Sequence, residues 1–421
     1  MRALPLEKRI PPGPRRGALT APASKSLVQR LFLCAALGRG DTVVRCGDLS
    51  RDAAATLRCL EALGAEVRTE GDEARIRGPE AWRSGADLPC GESGAALRFL
   101  LPLLGALGLE ARLLPEGSLA RRPLSPLWEL LEARGMALRR EGDAVRCAGR
   151  LKAGAYALPG NVSSQFVSGL LFALPLLAGD SELTVTGPLG SADYVNLTEE
   201  ALRRCGVRLE RRGQTWRVPG GQTYAPPPAL TAEGDWSAAA FFLCMGALSP
   251  AGITVRGLDP ASGQGDRRVL DLLRAAGAAV TVSEAGITAR RGALRPFAFD
   301  ADPCPDLAPP LAVLAAACPG ESRIIGAGRL RLKESDRLRT TAALLKALGG
   351  AAEETAEGLV IRGGKLLSGG GADAFGDHRI AMAAALAACA CRGAVTLRGA
   401  ESVEKSYPRF WGDFEALEMV T

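Results

Sequence analysis

Five glycines recur along the chain at nearly constant intervals: Gly64, Gly135, Gly206, Gly277 and Gly349, spaced 71, 71, 71 and 72 residues apart. Each closes a run with helical periodicity, such as Leu130-Leu131-Glu132-Ala133-Arg134 or Leu272-Leu273-Arg274-Ala275-Ala276. A glycine placed there serves as a C-terminal cap, because the residue leaving a helix commonly takes positive φ. A period of this length marks one supersecondary unit copied along the chain. A second series of apolar helices keeps the same step: Ser26 to Leu37, Gly94 to Leu107, Gln165 to Leu177, Ser237 to Leu248, Leu307 to Ala317 and Arg379 to Cys391. A β-rich segment follows each one: Thr42 to Arg45, Leu109 to Leu114, Leu183 to Thr186, Ile253 to Val255, Arg323 to Ile325 and Val395 to Leu397. Six copies of about 70 residues fill the 421.

A chain of 421 residues exceeds a single ordinary core. The Pro-rich stretch Tyr224 to Pro228 divides the third copy from the fourth. The sixth copy runs out after its second helix, near Phe414 to Met419, so Met1 to Ile10 is expected to supply an edge to the carboxy-terminal half. The expected architecture is α/β (α+β) and two-lobed, three copies per lobe, crossed by two strands. Residues 1–18 with 230–421 form one lobe and 19–229 the other, with a ligand cleft between them.

Composition narrows the function. Apolar residues make up 47% and charged residues 23%, as in a soluble globular enzyme. The eleven cysteines are scattered with no Cys-x-x-Cys pair, which predicts reduced, buried thiols and a cytoplasmic home. A single histidine argues against His-based metal sites and against triads that need a second one. No apolar signal segment opens the chain, and the apolar run Trp236 to Val255 is interrupted at Ser249-Pro250-Ala251-Gly252, so no membrane span is expected. A net charge of +6 is modest for a nucleic-acid binder and suits small anionic ligands; the aromatics do not alternate with basic residues. The glycine-rich stretches Gly363-Gly364 and Ser368 to Gly371 lack a phosphate-loop ending and read as a flexible turn.

The polar residues gather at the helix starts. Ser24-Lys25-Ser26 with Arg30 opens the first helix, Gly91-Glu92-Ser93-Gly94 with Arg98 the second, and Asn161 to Gln165 the third. Glu233-Gly234-Asp235, Asp306 and Gly376-Asp377-His378-Arg379 open the remaining three. Free N–H groups and the dipole make a helix start an anion site, although ordinary N-capping explains any single one. The loops after the strands add Arg122, Lys333 and Lys405 at equivalent points of the copies. The densest stretch is Arg331 to Arg339. If its turn is helical, Lys333 and Arg337 share a face and Glu334 points elsewhere, a free proton carrier beside an anion grip.

In this order, these motifs resemble the 5-enolpyruvylshikimate-3-phosphate synthase (3-phosphoshikimate 1-carboxyvinyltransferase) family, over nearly the whole chain. The matching residues are Ser24-Lys25-Ser26 with Arg30, Gly94 with Arg98, Arg122-Pro123, Ser163-Ser164-Gln165, Ser191 with Tyr194, Glu233-Gly234-Asp235, Gln264-Gly265-Asp266, Lys333 to Arg337, Asp377-His378-Arg379 and Lys405. The resemblance implies the two-lobed enolpyruvyl transferase fold of six βαβαββ units. It implies enolpyruvyl transfer from phosphoenolpyruvate to the 5-hydroxyl of shikimate 3-phosphate with release of phosphate, without metal or cofactor, by a monomer. Shikimate 3-phosphate would then meet Lys25, Ser26, Arg30, Ser163, Ser164, Gln165, Ser191, Tyr194, Asp306 and Lys333. Phosphoenolpyruvate would meet Lys25, Gly94, Arg122, Gln165, Arg337, Arg379 and Lys405, with Glu92, Arg98 and His378 nearby. Lys25, Asp306 and Glu334 are the candidate catalytic groups.

The chain departs from the commonest family pattern at Glu92 and Ala95, where many members have asparagine and threonine, and at Arg329, which aligns with a ligand-binding asparagine. A carboxylate at 92 is expected to turn away, pair with a cation or be protonated. Two alternatives stay open. UDP-N-acetylglucosamine enolpyruvyl transferase shares the repeat, but its usual loop cysteine is missing from Pro115 to Arg122. A non-enzymatic sixfold scaffold or clamp has no use for Glu334 and Asp306 at helix starts.

Overall fold

The computed structural model describes residues 5–420. Cα packing divides the chain into two compact units, Ala23–Ala232 and Met1–Pro22 with Glu233–Thr421. Twelve α-helices lie among the described residues. In the first unit they are α1 Lys25–Leu37, α2 Arg51–Ala62, α3 Gly94–Leu107, α4 Leu127–Ala133, α5 Ser164–Ala173 and α6 Ala192–Arg204. In the second they are α7 Trp236–Leu248, α8 Val269–Ala275, α9 Ala308–Ala317, α10 Arg337–Ala347, α11 His378–Ala388 and α12 Phe410–Glu415.

The second copy shows the repeat in full. Strand Ala86–Gly91 leads into α3, which returns as strand Ala111–Pro115, parallel to the first. After α4, strands Met136–Glu141 and Ala144–Gly149 form a hairpin whose second arm pairs antiparallel with Ala111–Pro115. The parallel pair needs a helical crossover and the hairpin needs only a short turn, which fixes βαβαββ as the order. The five periodic glycines all have positive φ, from +78° at Gly206 to +109° at Gly135, as caps require.

Three copies borrow a strand across sequence. Strand Ala229–Thr231 lies parallel to Asp41–Arg45 and completes the sheet of the first copy, while Arg15–Thr20 lies parallel to Ile253–Arg256 and completes that of the fourth. Arg15 and Arg16 also pair with the short carboxy-terminal strand Glu418–Met419. In the sixth copy, strand Glu7–Ile10 pairs antiparallel with Val395–Arg398, the edge expected of Met1 to Ile10; Met1 to Leu4 lie outside the described residues.

Some local expectations do not hold. The third first-helix ends at Ala173 rather than Leu177, because Pro175 removes a donor and the chain tightens into a 3-10 turn over Leu174–Leu176. The glycine-rich stretch after Ser368 is not a flexible turn: Gly370–Asp373 is a strand parallel to Val395–Arg398. All eleven cysteine side chains are buried, as expected. No helix among the described residues is long and apolar enough to cross a membrane.

Each unit has its own core. Every residue of α7 and α11 is buried, and so are Ala308 to Ala316 of α9. Such helices, apolar all round, belong at the centre of a core. Each large apolar side chain buried there, such as Phe241 or Leu311, contributes about 1.5–3 kcal/mol. Ser237 of α7 and His378 and Arg379 of α11 stand in the first turns of their helices, and Asp306 lies in the turn just before α9, so the polar groups gather where these helices begin.

Candidate active site

In the unit containing α7 to α12, the first turns of α7, α9 and α11 converge. Arg379, in the first turn of α11, donates from Nη2 to Asp306 Oδ2 at 2.9 Å and from Nη1 to the Ser237 carbonyl at 3.3 Å. Asp306 lies in the 3-10 turn Pro305–Leu307 that leads into α9, and its other oxygen accepts from Arg337 Nη1 at 2.7 Å. Arg337 reaches two more carboxylates: Glu334 Oε2 at 2.5 Å and Asp377 Oδ2, by its Nε, at 2.8 Å. Asp377 also accepts from the backbone N–H of Arg379 at 3.0 Å, which makes it the N-cap of α11, and from the Ser335 hydroxyl at 2.9 Å.

The Lys333 to Asp336 turn is therefore not helical. Asp336 is the N-cap of α10, accepting from Arg339 N–H, and the helix begins only at Arg337. Glu334 does not point away from the cations; it pairs with Arg337. A short polar side chain before the helix competes for the free N–H groups of its first turn, and that sets the start at Arg337, four residues beyond Lys333.

Electrostatics sort the carboxyls. Burial alone would raise Asp306, but Arg379, Lys333 and Arg337 outweigh it and hold the carboxyl well below the ordinary carboxylate range, against Glu334. Burial likewise opposes the charge on Arg337, and Asp377, Glu334 and Asp306 overcome it. The Arg337 side chain is only 2% exposed, so a ligand reaches it only by displacing one of these carboxylates.

The other unit builds a second polar cluster, also at helix starts. Lys25 opens α1 and lies 3.0 Å from Asp52, in the first turn of α2. Gln29 Nε2 donates to Ser93, the N-cap of α3, at 2.8 Å and to Thr56 at 2.9 Å. Arg98 of α3 donates to Gln165 Oε1, at the start of α5, at 2.7 Å. A Cβ added to Gly94 would lie 3.1 Å from Arg98 Nη1, 3.2 Å from Arg122 Nη1 and 3.4 Å from Gln165 Oε1. Glycine at 94 thus leaves the space between two guanidinium groups and an amide open.

Arg30 is buried and donates to Thr198, to the Ser26 carbonyl and to the Tyr194 carbonyl at 2.8, 2.6 and 2.8 Å, holding α1 against α6. Burial pushes its guanidinium down to about 10, against Tyr194. Ser163 caps α5, and Ser164 is buried behind it. Ser191, the N-cap of α6, has φ +54°, a left-handed conformation that serine rarely takes and one that marks a position fixed by its surroundings.

The structure thus groups Lys25, Ser26, Arg30, Gly94, Arg98, Arg122, Ser163, Ser164, Gln165, Ser191 and Tyr194 in one unit. Asp306, Lys333, Glu334, Arg337, His378 and Arg379 gather in the other. Lys405 is buried at the end of the 3-10 turn Ala400–Lys405. His378 is 1% exposed, its Nδ1 3.7 Å from Asp377 Oδ1. The Glu92 carboxylate is turned over Gly117, in the space that a Cβ at 117 would fill. Arg329 is held by Asp302, with Nε to Oδ1 at 3.0 Å and Nη2 to the carbonyl at 2.7 Å. Sequence reasoning passed over Asp52, Gln29, Ser237 and the central place of Asp377. Asp52 and Asp377 look like ordinary first-turn and capping acids, and only the fold shows which cation each faces.

The fold is that of the enolpyruvyl transferases. EPSP synthase from Acinetobacter baumannii superposes with a TM-score of 0.80 at 26% identity, covering 99% of this chain and all of that one. The enolpyruvyl transferase NikO from Streptomyces tendae, at 23% identity and a TM-score of 0.79, shares the fold. A family model described as EPSP synthase (3-phosphoshikimate 1-carboxyvinyltransferase) matches residues 11–414, and the chain belongs to that family. Among curated relatives, the 3-phosphoshikimate 1-carboxyvinyltransferase of Clostridium kluyveri is 39% identical, covering 97% of this chain and 96% of that protein. The one from Clostridium perfringens strain 13 is 37% identical, covering 97% of each.

Proposed function

We propose that the two polar clusters serve one reaction, in which the enolpyruvyl group of phosphoenolpyruvate is transferred to the 5-hydroxyl of shikimate 3-phosphate. Family membership and full-length relatives make the chain a 3-phosphoshikimate 1-carboxyvinyltransferase. The observation that carries the assignment of residues is Asp306, kept ionised between two guanidinium groups, with a second carboxylate, Glu334, on one of them.

The chemistry asks for this arrangement. The 5-hydroxyl oxygen bonds to C2 of phosphoenolpyruvate and gives up its proton, for which Asp306 is the acceptor. C3 gains a proton, for which Glu334 is the carrier, and a tetrahedral intermediate results. The C2–O bond to phosphate then breaks, phosphate leaves, and C3 returns its proton to restore the methylene. Two substrates with two phosphates and two carboxylates repel each other, so cations must hold them together. Lys25, Ser26, Ser163, Ser164, Gln165, Ser191, Tyr194, Asp306 and Lys333 are assigned to shikimate 3-phosphate. Lys25, Gly94, Arg122, Gln165, Arg379 and Lys405 are assigned to phosphoenolpyruvate. Arg30 and Arg337 have their donors committed to protein groups, so they contribute charge and hold neighbours, contacting a ligand only by exchanging partners.

The test is phosphate release with both substrates present, repeated with Lys25→Ala and Glu334→Ala. Loss of about a hundredfold or more in kcat/KM is expected in each, the scale of a lost acid–base or oxyanion group. Wild-type turnover in both variants overturns the assignment of residues.

A further inference from the structure

Beside the Arg379–Asp306 pair lies a carboxyl that the mechanism above leaves unused. Asp266 sits in the 3-10 turn Gly265–Arg268 and is 3% exposed. Its Oδ2 accepts from the Ser237 hydroxyl, while its Oδ1 is buried with no hydrogen-bond partner among the described residues. A buried carboxyl oxygen without a donor is costly when ionised and costs less when the group carries a proton.

Its connections lead to the proposed site. The Ser237 that donates to Asp266 presents its carbonyl to Arg379 Nη1, and the same guanidinium holds Asp306. Charged neighbours face Asp266 from each side. Asp235 and, through Gln264, Glu233 come from the start of α7, Asp306 from the turn before α9, and Arg379 from α11. Arg267 and Arg268, on its own turn, are exposed. Burial and then Asp306 push the Asp266 carboxyl up to about 7, with Asp235 adding to the rise and Arg379 and Ser237 opposing it.

We propose that Asp266 is a positioning residue for the reaction: through Ser237 it sets Arg379 against Asp306, and it answers the arrival of phosphoenolpyruvate by taking up a proton. The ligand half of this inference rests on the assignment of Arg379 to phosphoenolpyruvate. An anion settling on Arg379 removes the cation that helps Asp266 ionise, so the acid form is favoured in the bound state. Above about pH 7, where the free protein has lost that proton, phosphoenolpyruvate must bind together with a proton from solvent, and its apparent affinity falls by up to about tenfold per pH unit. Below that pH the proton is already in place and Asp266 adds no such dependence.

The experiment measures kcat and KM for phosphoenolpyruvate from about pH 6 to about pH 8, one unit either side of about 7, with shikimate 3-phosphate saturating. It compares wild type with Asp266→Asn, Ser237→Ala and Arg379→Lys. Asp266→Asn keeps an acceptor for Ser237 but cannot titrate, so the ratio of wild-type KM to its KM is expected to climb as pH rises. Ser237→Ala cuts the link while leaving the carboxyl of Asp266 in place and is expected to raise KM about fivefold, with kcat changed less. Infrared difference spectra of the ligand-free protein over the same range should show the C=O stretch of a protonated carboxylic acid fading with pH, absent in Asp266→Asn. A ratio that does not change with pH, together with an impaired Arg379→Lys, overturns the inference alone. An unimpaired Arg379→Lys removes the assignment of Arg379, and with it the ligand half. If the infrared band is also missing from wild type, the buried acid itself is refuted. Should Asp266→Asn fail to fold, Ser237→Ala with wild-type KM is enough to overturn the positioning role.

Discussion

Replacing Asp377 with alanine tests whether one capping acid holds the candidate site together. Asp377 is fully buried and accepts from Arg337 Nε at 2.8 Å, Arg337 Nη2 at 3.2 Å, Ser335 Oγ at 2.9 Å and the Arg379 N–H at 3.0 Å. Loss of an N-cap costs about 1 kcal/mol. Breaking a buried ion pair by removing one partner costs about 3–5 kcal/mol. Arg337 keeps Asp306 and Glu334, so the lower end applies, and Asp377→Ala is expected to lose about 4 kcal/mol in all. For a folding unit of roughly 150–250 residues that is a fall of about 8–16 °C in Tm. Asp377→Asn keeps the cap and one acceptor for Arg337 and is expected to lose about half as much. Differential scanning calorimetry measures both. A Tm within about 2 °C of wild type for Asp377→Ala, less than 1 kcal/mol on the same scale, refutes the reasoning, since the arginine would then be shown not to depend on its buried partner.

Two further outcomes are expected. Gly94→Ala places a methyl group 3.1–3.4 Å from Arg98, Arg122 and Gln165, so KM for phosphoenolpyruvate should rise about tenfold or more while Tm moves little; an unchanged KM would show that no ligand uses that space. Asp266 titrates at about 7 in the folded chain and about 3.9 when unfolded, so the folded state binds the extra proton. Its stabilising effect is complete below about pH 4 and is lost as pH rises to about 7. Asp266→Asn should therefore gain stability relative to wild type across that window, by on the order of 4 kcal/mol at most. Melting curves at about pH 5 and about pH 8 that differ from wild type by the same amount would contradict this.

Much of the fold is legible from residue order. Gly64 to Gly349 mark the caps because a positive φ is nearly a property of the residue itself. The apolar runs of α3, α7 and α11 admit few readings but buried helices, and strand Glu7–Ile10 could be placed because the sixth copy had no edge of its own. Boundaries were weaker. The end of α5 depends on Pro175, and the start of α10 on whether Asp336 or an earlier residue captures the free N–H groups, a competition decided by small local energies.

The site divides along the same line. Sequence alone determined that Lys25, Asp306 and Arg379 stand where helices begin, with Arg98 one turn into its helix. Their pairings came from tertiary structure: Lys25 with Asp52, Arg98 with Gln165, Arg337 shared among Asp306, Glu334 and Asp377, and Asp266 reaching Arg379 through Ser237. The physical reason is range. A cap or a helical period is settled within four residues, whereas the charge state of a buried carboxyl depends on groups that folding brings in from distant parts of the chain, as Arg379 is brought to Asp306 and Asp266.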